Sequence, residues 1–225
     1  MSEISDQGPA IELLMTGNEL MSGDTLDSNS SRIAQAFAEL NLRVRRKVTV
    51  GDDPALIGDA LAAAAEHADV LIINGGLGPT SDDLTAALVA QAAGVPLTES
   101  PMARQHVEDW CTKRNIIANQ ANLKQAWLPE SAEIVANPIG SAVGFALTIK
   151  RCLIIATPGV PSELTAMLDE VCSRVAAKIG AQSGNILRLQ TFGLGEPTAQ
   201  DLIDEHITDW PEVVELGFRA GAPQL

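Results

Sequence analysis

The chain has 225 residues, 46% apolar, 20% charged and only 3% aromatic, with a formal net charge of −14. That length suits one full-sized domain with a smaller appendage, and the Ala, Leu, Ile and Val bias suits sheets covered by helices better than an aromatic-rich sandwich. So acidic a surface repels nucleic-acid backbones and anionic membranes, yet an anionic small molecule stays open, because backbone N–H groups or a metal can outweigh the global field locally.

Elements alternate almost from the start. Ile11 to Thr16 reads as a buried strand closed by Gly17. Ser28 to Leu40 reads as a helix with Ile33, Phe37 and Leu40 on one face and Asp27 or Ser28 as cap. Arg43 to Val50 alternates like an outer strand. Pro54 to His67 is an Ala-rich helix opened by Asp52-Asp53 and Pro54. Val70 to Asn74 is the cleanest buried strand, running into Gly75-Gly76, and Leu84 to Ala93 is the next helix, ended by Gly94. Pro101 to Trp127 reads as mostly helical, with breaks near Asn115 and Asn119. Short strands follow at Ile134-Val135, Phe145 to Ile149 and Cys152 to Ala156, then a long helix from Ser162 to Ile179. Strands alternating with helices of this length imply βαβ units, hence a largely parallel sheet with helices on both faces.

Residues 1–180 are therefore expected to form the main α/β domain. Ala181 to Asn185 reads as a linker, and residues 181–225 as a partial second domain: a strand over Ile186 to Phe192, a helix over Glu196 to Ile207, and a strand-like start at Gly217 to Ala220. Leu187, Leu189 and Phe192 would share one strand face, with Leu202 and Ile203 on the helix. So small a unit cannot enclose a core, which predicts a homodimer through the tail or the neighbouring face of the main domain. Cys111, Cys152 and Cys172, with no CxxC pair, point to buried thiols in a reducing compartment. The polar, acidic N-terminus is unlike a signal peptide, and no apolar run approaches the ~20 residues of a membrane span. A cytoplasmic protein is expected.

Ligands of parallel sheets sit beyond the carboxyl ends of strands. The best such place is GGLGPTSDDLT, Gly75 to Thr85. Gly75, Gly76 and Gly78 let the backbone approach a phosphate, and Thr80 or Ser81 can cap the following helix. The loop is neither a Walker A motif nor a dinucleotide fingerprint. Asp82 and Asp83 would repel a phosphate unless a cation lies between, and such oxygen-rich sites suit Mg²⁺, with Co²⁺ or Mn²⁺ as alternatives; the alternative role for both is complementing a helix dipole. Three further segments offer polar groups. GNELMSGDTLDSN supplies Glu19, Asp24, Asp27 and Asn29 in a polar turn; NQANLKQAWLP supplies Asn122 and Lys124; TPGVPSE supplies Pro158, Gly159 and Glu163. Turn and cap chemistry is the competing account of the first, a solvated helix face that of Lys124, and a helix-dipole complement that of Glu163. His67, His106 and His206 are scattered, so no histidine metal site is indicated.

Together these segments resemble the N-terminal domain of the CinA (competence/damage-inducible) family, which is similar to molybdopterin-binding proteins of the MogA and MoeA type. The pattern is matched at Gly17, Glu19-Leu20, Gly23, Asp27, Asn29, Gly51-Asp52, the whole of GGLGPTSDDLT, Asn122, Lys124-Gln125-Ala126, Pro129, Asn137-Pro138, Gly140, Gly144-Phe145, Pro158 to Pro161 and Glu163. Asn18, Val143 and Pro197 depart from the family's usual Asp, Pro and Ser. The resemblance implies a three-layer α/β domain followed by a KH-like one. It also implies metal-dependent hydrolysis of ADP-ribose to AMP and ribose 5-phosphate; the alternative is a domain that binds molybdopterin or a nucleotide without turnover. Many members add a C-terminal nicotinamide mononucleotide deamidase domain, which is not expected in 225 residues. In the hydrolytic reading Asp83, with Asp82 and Glu19, holds the metal. The glycine N–H groups and Lys124 bind phosphate oxygens, and Glu19 or Asp27 orients water.

Overall fold

The computed structural model describes residues 8–180, 187, 189–207, 209, 214 and 216–218. Its contacts divide the chain into two units, Met1–Asn185 and Ile186–Leu225.

In the first unit β1 (Ile11–Thr16) is buried along its whole length. It leads through a short helix α1 (Asn18–Ser22), where a polar turn is expected, into α2 (Ser28–Glu39). Asp27 caps α2 by accepting the Ser30 N–H at 2.9 Å. The outer strand β2 (Val44–Val50) precedes α3 (Pro54–His67), which Asp53 caps by accepting from Ala55 and Leu56 at 2.8 and 3.3 Å. Next come β3 (Val70–Asn74) and α4 (Thr85–Ala93), closed by Gly94 at φ 68°. The stretch expected to be mostly helical holds less helix than that. β4 (Leu97–Glu99) precedes α5 (Pro101–Lys113) and α6 (Gln120–Lys124), and Trp127 belongs to a strand, β5 (Trp127–Pro129), paired antiparallel with β4. Three-residue strands carry too short a pattern to show period two, and their pairing partner lies some thirty residues away. β6 (Glu133–Val135), β7 (Gly144–Ile149), β8 (Cys152–Thr157) and α7 (Pro161–Ile179) complete the unit.

The main sheet has the order β2-β1-β3-β8-β7-β6. Its first four strands are parallel, while β7 and β6 join antiparallel. Side chains alternate between two cores. Ile11, Leu13, Met15, Ile72 and Ile155 face α2 and α7 through Ile33, Phe37, Leu164 and Val171. Leu14, Leu71, Ile73, Ile154 and Ala156 face α3, α4 and α5 through Ile57, Leu61, Val89 and Ala103. The result is a three-layer α/β/α arrangement. Phe37 is fully buried against the first face, so cutting it to Ala would cost about 3–5 kcal/mol. Glu12, buried within β1, is satisfied by Arg46 at 2.9 Å and His67 at 2.8 Å. Cys111 and Cys152 are buried and Cys172 half-buried, all free; burial pushes the Cys152 and Cys172 thiols up to about 11. Among the described residues no helix is long and apolar enough to cross a membrane.

In the second unit α8 (Glu196–His206) starts with Pro197 in its first turn. The strand expected over Ile186 to Phe192 is not found in its described part. Leu187 and residues 189–191 carry no regular structure and Phe192 makes a single bridge, while Ile186 and Arg188 lie outside the described residues. The linker at Ala181 to Asn185 and the end of the expected Gly217 to Ala220 segment lie outside them too. Leu187, Leu189 and Phe192 are exposed, so no core formed among the described residues covers them.

Candidate functional site

Parallel pairing brings the ends of three strands level. Met15 stands beside Asn74, and Asn74 beside Thr157, so the loops leaving β1, β3 and β8 emerge on one rim. Asn74 ties them together. Its Nδ2 donates to Pro158 O at 2.6 Å and Thr157 Oγ1 at 3.1 Å, and its Oδ1 accepts from Asn29 Nδ2 at 2.9 Å. Asn29 Nδ2 also donates to Gly159 O at 2.7 Å, so the start of α2 is bound to both other loops. Thr157 Oγ1 donates onward to Ile73 O at 3.2 Å. Asn29 Oδ1 is buried with no hydrogen-bond partner among the described residues.

The glycine-rich loop leaves β3 at positive φ, 114° at Gly75 and 67° at Gly76, where other residues are strained. A Cβ on Gly75 would lie 2.5 Å from Thr16 Oγ1, so side-chain-free backbone is also a steric requirement. Its N–H donates to Thr157 O at 2.9 Å and its carbonyl accepts from Thr85 Oγ1 at 2.9 Å. Gly75 therefore holds the loop against β8, and its amide is already engaged. No hydrogen bond within the described residues takes the N–H groups of Gly76, Leu77 or Gly78. Those three adjacent amides are donors left open to an anion.

Neither Thr80 nor Ser81 caps the next helix. α4 begins at Thr85 with Leu84 as a cap lacking any side-chain bond, and the Thr85 N–H is taken by Gly76 O at 3.1 Å. Thr80 is committed elsewhere: its N–H and Oγ1 both donate to Asp83 Oδ2, at 2.8 and 2.6 Å. Asp83 packs over Gly78, where a Cβ would sit 2.5 Å from Oδ2. Ser81 and Asp82 are exposed. The Thr80 hydroxyl, then the backbone of Asp82 itself, hold the Asp82 carboxyl below the usual range, although that hydroxyl donates its one proton to Asp83 at 2.6 Å. Lys124 Nζ donates to two loop carbonyls, Thr80 O and, at 2.9 Å, Asp83 O. It clamps the loop from behind with two of its three donors. Asn122 is occupied by a reciprocal cap with Asn119, at 2.9 and 3.2 Å.

On the β1 side, Glu19 is exposed and its carboxylate folds over Gly17, where a Cβ would lie 2.5 Å from Oε1. Asn18 exchanges bonds with Asp52 at 3.0 and 3.1 Å. Asp24 accepts from Ser22 Oγ at 2.7 Å. Burial opposes ionisation of Asp27, but the Ser30 side chain and backbone, then Lys47 at 3.1 Å, outweigh it and hold the carboxyl below its usual range. On the β8 side Pro158 is buried and Gly159 exposed, and both offer carbonyls to the asparagines. Among the described residues no three His, Cys, Asp or Glu side chains gather to hold a metal. An all-oxygen pair, Asp82 with the remaining Asp83 Oδ1, still fits Mg²⁺, which takes one or two carboxylates and completes its shell with phosphate and water.

Beside the loop lies a cavity of about 120 Å³, floored by Gly76, Leu77 and Gly78, walled by Ala86, Ala87, Leu97, Trp127, Leu128 and Val143, and edged by Asp83, Lys124 and Gln125. Gln125 is 7% exposed; its Nε2 donates to Leu77 O at 3.3 Å, and its Oε1 has no partner among the described residues. A buried acceptor in that state carries a penalty of about 1–3 kcal/mol. The sequence reading did not single out Asn74, Thr157, Thr85 or Gln125. For Asn74 there was a signal: a lone amide ending the apolar run VLIIN.

Three findings place the chain among known proteins. A family model described as a probable molybdopterin binding domain matches residues 12–178. A CinA-like protein of Colwellia psychrerythraea is 48% identical over 219 residues, 96% of this chain and 51% of that protein; a Shewanella oneidensis relative, named nicotinamide-nucleotide amidohydrolase PncC, is 38% identical with the same coverages. The chain thus spans about half the length of the curated relatives it matches. The crystal structure of CinA from Thermoplasma acidophilum superposes with a TM-score of 0.68 at 30% identity, covering 75% of this chain and 98% of that one.

Proposed function

The chain belongs to the CinA family and carries its molybdopterin-binding-like domain, and from that premise we propose that the rim site hydrolyses a nucleotide-sugar pyrophosphate, ADP-ribose to AMP and ribose 5-phosphate. The observation that carries this reading is the meeting of unengaged amides with two carboxylates. The N–H groups of Gly76, Leu77 and Gly78 have no partner among the described residues, and Asp82 and Asp83 follow on the same loop. Amides suit phosphoryl oxygens; aspartates beside them suit a phosphate only with a cation between.

A divalent ion held by Asp83 Oδ1 and Asp82 would neutralise charge on the pyrophosphate and its leaving oxygen. The chain's own groups do the rest. The three amides bind non-bridging oxygens, and Lys124 keeps the loop in shape by fixing the Thr80 and Asp83 carbonyls. Water attacks one phosphorus, the bridging P–O bond breaks, and each product leaves with one phosphate. Of the two candidates for orienting that water, Asp27 is committed to Ser30 and Lys47, whereas Glu19 is exposed and turned over Gly17. Glu19 is therefore assigned the task. The amidohydrolase name of the Shewanella relative belongs to a protein about twice as long, and like this reading it concerns a nucleotide.

The test is turnover of ADP-ribose with Mg²⁺ or Co²⁺, alongside binding of pterins. Asp83→Asn should lower the rate at least a hundredfold while the fold survives, because Asn can still accept the Thr80 N–H. Wild-type hydrolysis by Asp83→Asn with unchanged metal dependence would remove the metal role. Pterin or nucleotide binding with no hydrolysis by the wild type would leave a binding domain instead.

A further inference from the structure

We propose that the cavity beside the glycine loop is a base subsite that selects an amino-bearing nucleobase of the adenine type, with Gln125 as the selecting residue. The inference rests on the nucleotide reading above and adds which end of the substrate lies where and what reads it. The cavity shares Gly76, Leu77 and Gly78 with the phosphate loop, so a group bound there is continuous with one held on the loop amides. At about 120 Å³ it is of the size of apolar cavities of roughly 150 Å³ that take up benzene, which suits a flat ring with its remainder projecting from the open side. Its walls are mostly apolar, and Trp127 offers an aromatic surface that is 44% exposed.

Gln125 supplies the selectivity. Its Nε2 is spent on the Leu77 carbonyl at 3.3 Å, which fixes the amide's orientation; the opposite orientation would set Oε1 against that carbonyl oxygen. What remains is a buried acceptor without a partner among the described residues. An exocyclic amino group satisfies it, whereas a keto group in the same place sets oxygen against oxygen. Oε1 is covered from solvent, so the base reaches it by shifting the lining side chains slightly as it enters.

The experiment is calorimetric binding, in Mg²⁺, of AMP, IMP, purine riboside 5′-phosphate and ribose 5-phosphate to the full chain and to Gln125→Met. The wild type should bind AMP about tenfold or more tighter than IMP or the purine riboside, the scale of one hydrogen bond between buried groups. Gln125→Met should lose that preference and keep its affinity for ribose 5-phosphate, which shows that the loop is intact. Equal binding of AMP and IMP by the wild type overturns the subsite without any mutant, as does binding of 6-hydroxymethylpterin in place of AMP. Parallel ADP-ribose assays separate the two readings. Hydrolysis without AMP preference sinks the subsite alone, and AMP preference without hydrolysis sinks only the hydrolytic reading.

Discussion

Asn74→Leu should be the most damaging single change at the rim that leaves every core contact in place. Leucine keeps the size of the side chain but removes both amide atoms. Three buried bonds disappear: to Pro158 O, to Thr157 Oγ1 and from Asn29 Nδ2. Thr157 Oγ1 still donates to Ile73 O, and Asn29 still donates to Gly159 O, so the Pro158 carbonyl alone is fully orphaned. At about 1 kcal/mol for each lost bond, and about 1 more for the orphaned carbonyl, the loss is roughly 3–4 kcal/mol. For a domain of this size that lowers Tm by roughly 6–16 °C, taking 2–4 °C per kcal/mol. Thermal unfolding followed by circular dichroism measures it, and ADP-ribose turnover on the folded fraction reports whether the loops have separated. A Tm within about 2 °C of wild type would refute the claim that Asn74 ties the three loops together.

Asp27 carries a pH signature. Its folded-state pKa lies below the ordinary value of 3.8, so its stabilising effect is present above that pH and is lost as pH falls through the folded value. Asn also caps helices, so Asp27→Asn removes mainly the half-exposed Lys47 pair, and its Tm should fall by about 1–3 °C at pH 7, with the gap closing as the pH falls below 3.8 and the carboxyl takes up its proton; a gap as large in acid as at pH 7 would refute this. For assembly we propose a homodimer that covers the exposed Leu187, Leu189 and Phe192. Light scattering should return twice the chain mass, and a monomer at micromolar concentration would exclude it.

The frame of the main unit was legible because its signals are local. VLIIN is short, β-branched and closed by Gly75-Gly76, which marks a buried strand, and Asp53-Pro54 marks a helix start from chemistry within one turn. The rim itself followed from the parallel topology those elements imply. What stayed hidden depends on partners far along the chain. Lys124 was expected to meet phosphate, but it meets carbonyls 41 and 44 residues away. Thr80 was expected to cap α4, but the loop spends it on Asp83 and starts the helix four residues beyond Ser81. The β4–β5 pair was missed because three residues, one of them proline, show no period. Gln125 stood in a matched motif, yet its role needs the position of Leu77, 48 residues distant.

The bond from Asn29 to Gly159 spans 130 residues, and β8 enters the sheet between β3 and β7. The rim is thus among the last parts of the unit that a chain emerging from the ribosome can complete, since its third loop exists only after residue 159 is made and β8 has docked. A ligand that binds only the completed rim stabilises the native state and not the species before the rim has formed. Substrate or product binding there should slow unfolding and leave the rate of folding nearly unchanged. A nascent chain would gain no protection from its ligand until the sheet had already closed.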